Sequence, residues 1–170
     1  VSSGIPFLLV SNIKRNKIDY TTEKYISEKE FEILNRRTPI EVGNILITTV
    51  GSYGNPAIIE TDTKFAFQRH IAFLKPKHDL INYVFLFSIL KTDFVKRQID
   101  KKVIGVAQKT LNLNSLSDIN IIYPPITLQN QFAEQIQNIE QQKEKLKLQM
   151  QESENLFQAL LQKAFNGGLN

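Results

Sequence analysis

The 170-residue sequence contains no cysteine and no tryptophan, a single methionine and only two histidines. Without cysteine there is no disulfide framework and no thiolate metal or redox centre. His70 and His78 are too few to build an imidazole-based metal site. No apolar run approaches the roughly 20 residues that cross a bilayer. The opening VSSGIPFLLVSNIKR has neither the charged lead nor the long apolar core of a signal peptide. A soluble, cytoplasmic protein is therefore expected, with no membrane partner. Catalytic signatures are missing as well. There is no phosphate-binding Gly-x4-Gly-Lys-Ser/Thr loop, no dinucleotide glycine fingerprint and no Gly-x-Ser-x-Gly elbow. The acidic residues ahead of Pro124 are scattered rather than clustered. Tyr123-Pro124-Pro125-Ile126 lacks the Asn or Asp that would hold a target amino group in a methyltransferase.

What is present is a globular composition, 42% hydrophobic and 22% charged. The net charge of +4 is unevenly spread. Residues 1–125 hold 17 Lys/Arg against 12 Asp/Glu, whereas residues 126–170 hold four Lys against five Glu. The basic excess thus lies in the first part, which permits a polyanionic partner and equally suits an ordinary basic surface.

The composition changes at Pro124-Pro125, a pair that interrupts both helix and strand. The sequence therefore divides into residues 1–125 and 126–170. The second part predicts one helix from about Thr127, as its cap, to Phe165. Steps of four and three from Phe132 pass through Ile136, Ile139, Lys143, Leu146, Met150, Ser153, Phe157, Leu160 and Ala164, a heptad seam interrupted only by Lys143 and Ser153. Such a seam requires a second helix, and no other segment here is long enough to supply one. The first part mixes strands and short helices. Strands are expected at Pro6–Ile13, Asn44–Val50, Ala57–Glu60, Phe65–Leu74 and Asp118–Tyr123. Ser27 and Glu30 form a capping box for a helix to about Asn35. Asp79 is expected to cap a helix to about Ile99, buried along Leu80, Tyr83, Phe87, Leu90 and Phe94. The pattern predicts an α+β fold, a globular mixed α/β domain followed by a single long coiled-coil helix.

Four loops carry polar residue types suited to nucleic acid. Thr48 to Asn55 has two glycines that permit tight backbone turns, beside Ser52, Tyr53 and Asn55. Gln68 and Arg69 are the side chains that pair with adenine and guanine in a major groove. Lys101, Lys102, Gln108 and Lys109 flank a flexible Gly105. Lys14, Arg15, Asn16 and Lys17 form a basic loop. Each also has a purely structural reading, as a turn, a surface patch or a solvated charge run.

In order and spacing, the chain resembles one half of the specificity subunit of a Type I restriction-modification enzyme. The matching segments are Gly4-Ile5-Pro6-Phe7 with Ser11-Asn12-Ile13; Gly43-Asn44-Ile45-Leu46-Ile47-Thr48 with Gly51-Ser52-Tyr53-Gly54; Phe67-Gln68-Arg69-His70-Ile71; Gly105-Val106-Ala107-Gln108-Lys109 with Leu111-Asn112; Pro124-Pro125-Ile126 with Gln129 and Phe132; and Leu160 to Leu169. Two departures stand out. The family usually has Asp where this chain has Asn44, and its members usually carry a further segment before Gly4.

The resemblance implies a target recognition domain over 1–125 and a spacer helix over 126–170. It implies double-stranded DNA as ligand, contacted by Asn12, Lys14, Ser52, Tyr53, Asn55, Gln68, Arg69, Lys101, Lys102, Gln108 and Lys109. Pairing would run through Phe132, Ile136, Ile139, Leu146, Met150, Phe157 and Leu160, in a homodimer or with a second half-subunit. Methyltransferase and restriction subunits are the implied protein partners. Adenosylmethionine, ATP and Mg²⁺ would belong to those subunits, leaving this chain non-catalytic and without cofactor. A recognition domain of a fused Type II restriction-methylation enzyme shares these features, and a coiled-coil protein-binding scaffold shares some of them.

Overall fold

The computed structural model describes residues 3–105 and 109–166. The chain divides into two compact units, Val1–Asn130 and Gln131–Asn170.

The first unit is built around a strand hidden on both faces. β5 (Ile45–Thr48) lies between β6 (Pro56–Ile58) and β8 (Ile71–Leu74), antiparallel to both. All four β5 residues are buried. Because successive side chains alternate, Ile45 and Ile47 enter a core with Ala72, Leu90, Val95, Ile99, Leu111 and Leu116. Leu46 points the other way, into a core with Leu8, Ile13, Ala57, Ile59, Phe65 and Ile71. This two-sided burial explains why Ile45 to Ile47 are all apolar rather than alternating. Asn44 just before it is fully buried, and its side-chain oxygen accepts from the Glu41 N–H at 2.9 Å, closing the turn into β5.

A second sheet covers one side. β1 (Ile5–Leu8) pairs antiparallel with β4 (Tyr25–Ile26) and parallel with β7 (Ala66–Phe67). β2 (Ile13–Lys14) and β3 (Lys17–Ile18) form a hairpin turned by Arg15 and Asn16, both at positive φ. These φ values match the tight turn that suits a two-residue hairpin loop. α1 (Glu28–Arg37) carries the expected box: Ser27 N–H donates to Glu30 at 2.8 Å, and Glu30 N–H donates back to the Ser27 hydroxyl at 3.3 Å. Sheets of both senses beside helices make the fold α+β, as expected.

Several element boundaries differ from expectation. The apolar stretch 6–13 is not one strand: after β1 it enters a 3-10 turn at Val10–Asn12. The stretch 65–74 is broken into β7 and β8 by a turn in which Ile71 N–H donates to the Gln68 carbonyl at 3.1 Å. The helix expected over 79–99 is two helices, α2 (Tyr83–Leu90) and α3 (Asp93–Lys102). Asp79 lies in a turn; the caps are Asn82, accepting from Val84 and Phe85, and Thr92, accepting from Val95. With the break at Lys91-Thr92 the buried set becomes Val84, Phe85, Leu90, Val95 and Ile99, while Leu80 and Phe94 are exposed.

Asp118–Tyr123 is not a strand. It follows the short α4 (Leu113–Ser117) through a turn at Asp118 and then as irregular chain, held at Asn120 by the Gln98 amide, which donates to its carbonyl and accepts from its N–H, each at 2.9 Å.

α5 (Ile126–Phe165) runs for 40 residues, about 60 Å at 1.5 Å per residue. It begins one residue before Thr127, with the Pro125 carbonyl accepting from Leu128 and Gln129, so Thr127 is inside the helix rather than its cap. In the second unit the seam residues Ile139, Leu146, Met150, Phe157 and Leu160 are exposed, and Phe132 and Ile136 half-buried. Among the described residues, no helix is long and apolar enough to cross a membrane.

Candidate nucleic-acid interface

The last residue of β5, Thr48, organises the first of four converging segments. Its hydroxyl donates to the Ser52 carbonyl and accepts from Asn55 N–H at 3.0 Å. Its carbonyl accepts from Gly54 N–H at 2.7 Å. Asn55 Nδ2 adds a 2.8 Å bond to the Ser52 carbonyl. The loop is thus wound around one buried threonine, with Gly51 and Gly54 both at positive φ. Asn55 spends its side-chain N–H on loop closure, while the Ser52 side chain is exposed.

Sheet register brings the next two segments alongside. Thr48 lies opposite Ile71, so the turn at Gln68–His70 abuts the end of β5, and Thr49 N–H donates to the His70 carbonyl at 2.9 Å. Gln68 and Arg69 therefore sit in a turn rather than within a strand, with Arg69 exposed and Gln68 half-buried. On the other flank, Gly51 N–H donates to the Lys109 carbonyl at 3.1 Å and Leu111 N–H to the Thr49 carbonyl at 2.8 Å. Thr110 bridges both Val50 and Ile104. The fourth segment is the β2–β3 hairpin, where Asn16 Nδ2 donates to the Pro56 carbonyl at 3.0 Å. Lys14, Arg15 and Lys17 stand exposed around that tip.

α3 underlies this cluster. Its Asp100 accepts the Tyr53 hydroxyl at 3.0 Å, while the Lys109 ammonium lies 5.9 Å from the centre of the Tyr53 ring, within cation–π range. A polar cleft of about 350 Å³ is lined by Asn16, Tyr53, Asn55, Lys91, Lys96 and Asp100, among others. Lys101 is exposed at the end of α3. Lys102 beside it is paired with Asp118 at 3.3 Å, which commits part of its charge.

Of the residues named from sequence, Lys14, Ser52, Tyr53, Asn55, Gln68, Arg69 and Lys109 fall within the four converging segments. Gln108 lies outside the described residues. Asn12 does not belong with this group. It is buried, its oxygen accepts from Leu9 N–H, and its Nδ2 donates to the Asp19 and Thr21 carbonyls, each at 2.9 Å. An amide so committed inside the protein has no edge left for a base, and we assign it to the scaffold.

The sequence reading missed Asp100, Lys91 and Lys96. The signal available was the Thr92-Asp93 cap, which starts a new helix and places Lys96 and Asp100 one turn apart on one face. It also missed the role of Gln129, which is fully buried at the start of α5. Gln129 accepts from Asn82 N–H at 3.0 Å and donates to the Pro124 carbonyl at 2.8 Å, tying the first turn of that helix to the cap of α2.

Comparison with known proteins places the chain in a family and a fold. The model of the Type I restriction modification DNA specificity domain matches residues 2–152. The Type I restriction enzyme EcoBI specificity subunit of Escherichia coli is 27% identical over 173 residues, covering 99% of this chain and 36% of its own length. The crystal structure of the HsdS subunit from Thermoanaerobacter tengcongensis superposes with a TM-score of 0.66 at 18% identity, over 96% of this chain and 42% of that one. A chain solved in work on complex assembly and conformational transition of the type I R-M system gives 0.63 at 18% identity, over 96% and 43%. These superpositions speak for a shared fold. The chain spans about a third of the curated relative and under half of each solved one. The matched stretch takes in all three sheets, all four converging segments and most of α5, and the chain belongs to the family of Type I restriction modification DNA specificity domains.

Proposed function

We propose that this chain is the DNA-reading half of a specificity subunit. The observation that carries the reading is the convergence of four loops bearing Lys, Arg, Ser and amide groups at one end of the β6-β5-β8 sheet, in a member of this family. Arg69 and Gln68 would discriminate bases in the major groove, and Lys14, Lys101, Lys102 and Lys109 would neutralise phosphates. The exposed seam of α5 would pair with a second such helix, from another copy or from a second half, and so fix the distance between two half-sites. Methyltransferase subunits would dock on this assembly and supply adenosylmethionine; a restriction subunit would use ATP and Mg²⁺. The chain itself would carry no chemistry and act in the cytoplasm.

The test is to co-express the chain with its methyltransferase subunit and map the methylated positions in duplex DNA. We expect a defined sequence pattern, and exchange of residues 1–125 for another recognition domain should change the pattern while methylation persists. The purified chain alone, given labelled adenosylmethionine, ATP and Mg²⁺, should neither incorporate label nor cut. An unchanged pattern after the exchange would place specificity elsewhere. Absence of salt-dependent retention on duplex DNA would favour a protein-binding scaffold.

A further inference from the structure

Inside the basic loop cluster stands one carboxylate whose position a phosphate-binding surface does not explain. Asp100 is on α3, in the cleft that Lys91 and Lys96 also line. A negative charge there opposes the polyanion that the surrounding lysines attract. Its hydrogen bond accounts for it: the carboxylate accepts the Tyr53 hydroxyl at 3.0 Å. The neighbouring residues continue the same contact. Ile99 is buried, and its side chain lies 3.3 Å from where a Cβ on Gly54 would be, so the loop backbone rests directly on α3. The Lys109 ammonium near the Tyr53 ring adds a third attachment. The Gly51–Asn55 loop is therefore clamped to a helix at two successive residues, Tyr53 to Asp100 and Gly54 to Ile99.

We propose that Asp100 is a positioning residue for sequence reading: by holding Tyr53 it fixes the exposed Ser52 edge of the loop, and by its charge it lowers sequence-independent attraction to DNA. The inference rests on the function proposed above. Tyr53, with its hydroxyl committed to Asp100 and the Lys109 ammonium 5.9 Å from its ring centre, serves as a strut rather than as a base reader. The discriminating contact of this loop then falls to Ser52, while Lys109 beside it faces the phosphates. A loop fixed before binding loses less freedom on reaching the groove and presents its donors in one geometry.

The two effects of Asp100 separate by substitution. Asp100→Asn keeps an oxygen for the Tyr53 hydroxyl but removes the charge. Tyr53→Phe removes the hydrogen bond and keeps the charge. Asp100→Ala removes both. The full-length chain and these three variants are bound to a pool of duplexes with randomised sequence. The retained fraction is sequenced, and total binding is followed against salt.

We expect the wild-type chain to enrich a defined set of bases. Tyr53→Phe should lower enrichment at part of that set about tenfold, as loss of one ordering hydrogen bond permits, without the rise in binding to the unselected pool that loss of the charge produces. Asp100→Asn should keep wild-type enrichment while its binding to the unselected pool rises about threefold at low salt and converges at high salt. Asp100→Ala should show both changes. Asp100→Asn as impaired in enrichment as Asp100→Ala would overturn the positioning role, as would wild-type enrichment by both Tyr53→Phe and Asp100→Ala. A wild-type chain that enriches no sequence would overturn the proposed function and this inference with it.

Discussion

Asn12 and Asn55 are the same residue type on neighbouring loops, yet their environments give them different work. Asn12 is buried and bonds three backbone groups, two of them carbonyls seven and nine residues away. Asn12→Ala would leave those groups unpaired inside the protein, and we expect a loss of about 1–3 kcal/mol in urea unfolding. Asn55 bonds only within its own loop and is partly exposed, so its replacement should unsettle the loop more than the fold. The two loop glycines provide a matched pair. Both have φ near +75°, where a side chain costs about 1–2 kcal/mol. At Gly51 a Cβ would meet open space; at Gly54 it would press on the buried Ile99. Gly54→Ala should therefore lower the unfolding midpoint more than Gly51→Ala, and equal losses would mean that the loop does not rest on α3.

At the level of elements, local signals were legible where they act locally. The Ser27–Glu30 box, the strand after Asn44 and the start of α5 just after Pro124-Pro125 can all be read from neighbouring residues. The box also predicts a pH response. The Ser27 hydroxyl first, and then its backbone N–H, hold the Glu30 carboxyl below its usual value of 4.5. A carboxyl depressed in the folded state contributes stability above its free value, and that contribution is lost as pH falls through the folded value. Urea midpoints should thus fall on acidification below about 4.5, with a weaker fall in this range for Glu30→Gln.

What stayed hidden depends on distant partners. Residues 118–123 have the composition of a strand, but the partner of Asn120 is one side chain, Gln98, 22 positions away, and among the described residues no strand pairs with them. The run 65–74 is apolar at both ends and reads as one long strand, yet it turns at Arg69-His70, where the His70 carbonyl is taken by Thr49 from β5's end. In the candidate site, residue types were readable in each loop. Their convergence was not, because it is set by sheet register, and Asp100 acquires its role only from Tyr53, 47 positions earlier.

For the molecule as a whole, the exposed seam of α5 makes the sharpest demand. Met150 is 74% exposed and Leu146 59%, in a heptad series that only a second helix would cover. The i,i+3 pairs Glu140–Lys143 and Glu144–Lys147 lie on the surface of the helix and add little to its stability. We expect a dimer at micromolar concentration in sedimentation equilibrium, and Leu146→Glu should shift the chain toward monomer by placing a charge in an apolar seam. A monomeric wild-type chain with a fully formed helix would contradict this. The loop cluster has a different consequence. Three of its four segments are stitched together by main-chain bonds, Thr49 to His70, Gly51 to Lys109 and Leu111 to Thr49, none of which involves the side chains of Arg69, Lys109 or Ser52. Those side chains can change without unpicking the stitching, so, given the function proposed above, a lineage would drift from one DNA target to another through intermediates that all remain folded.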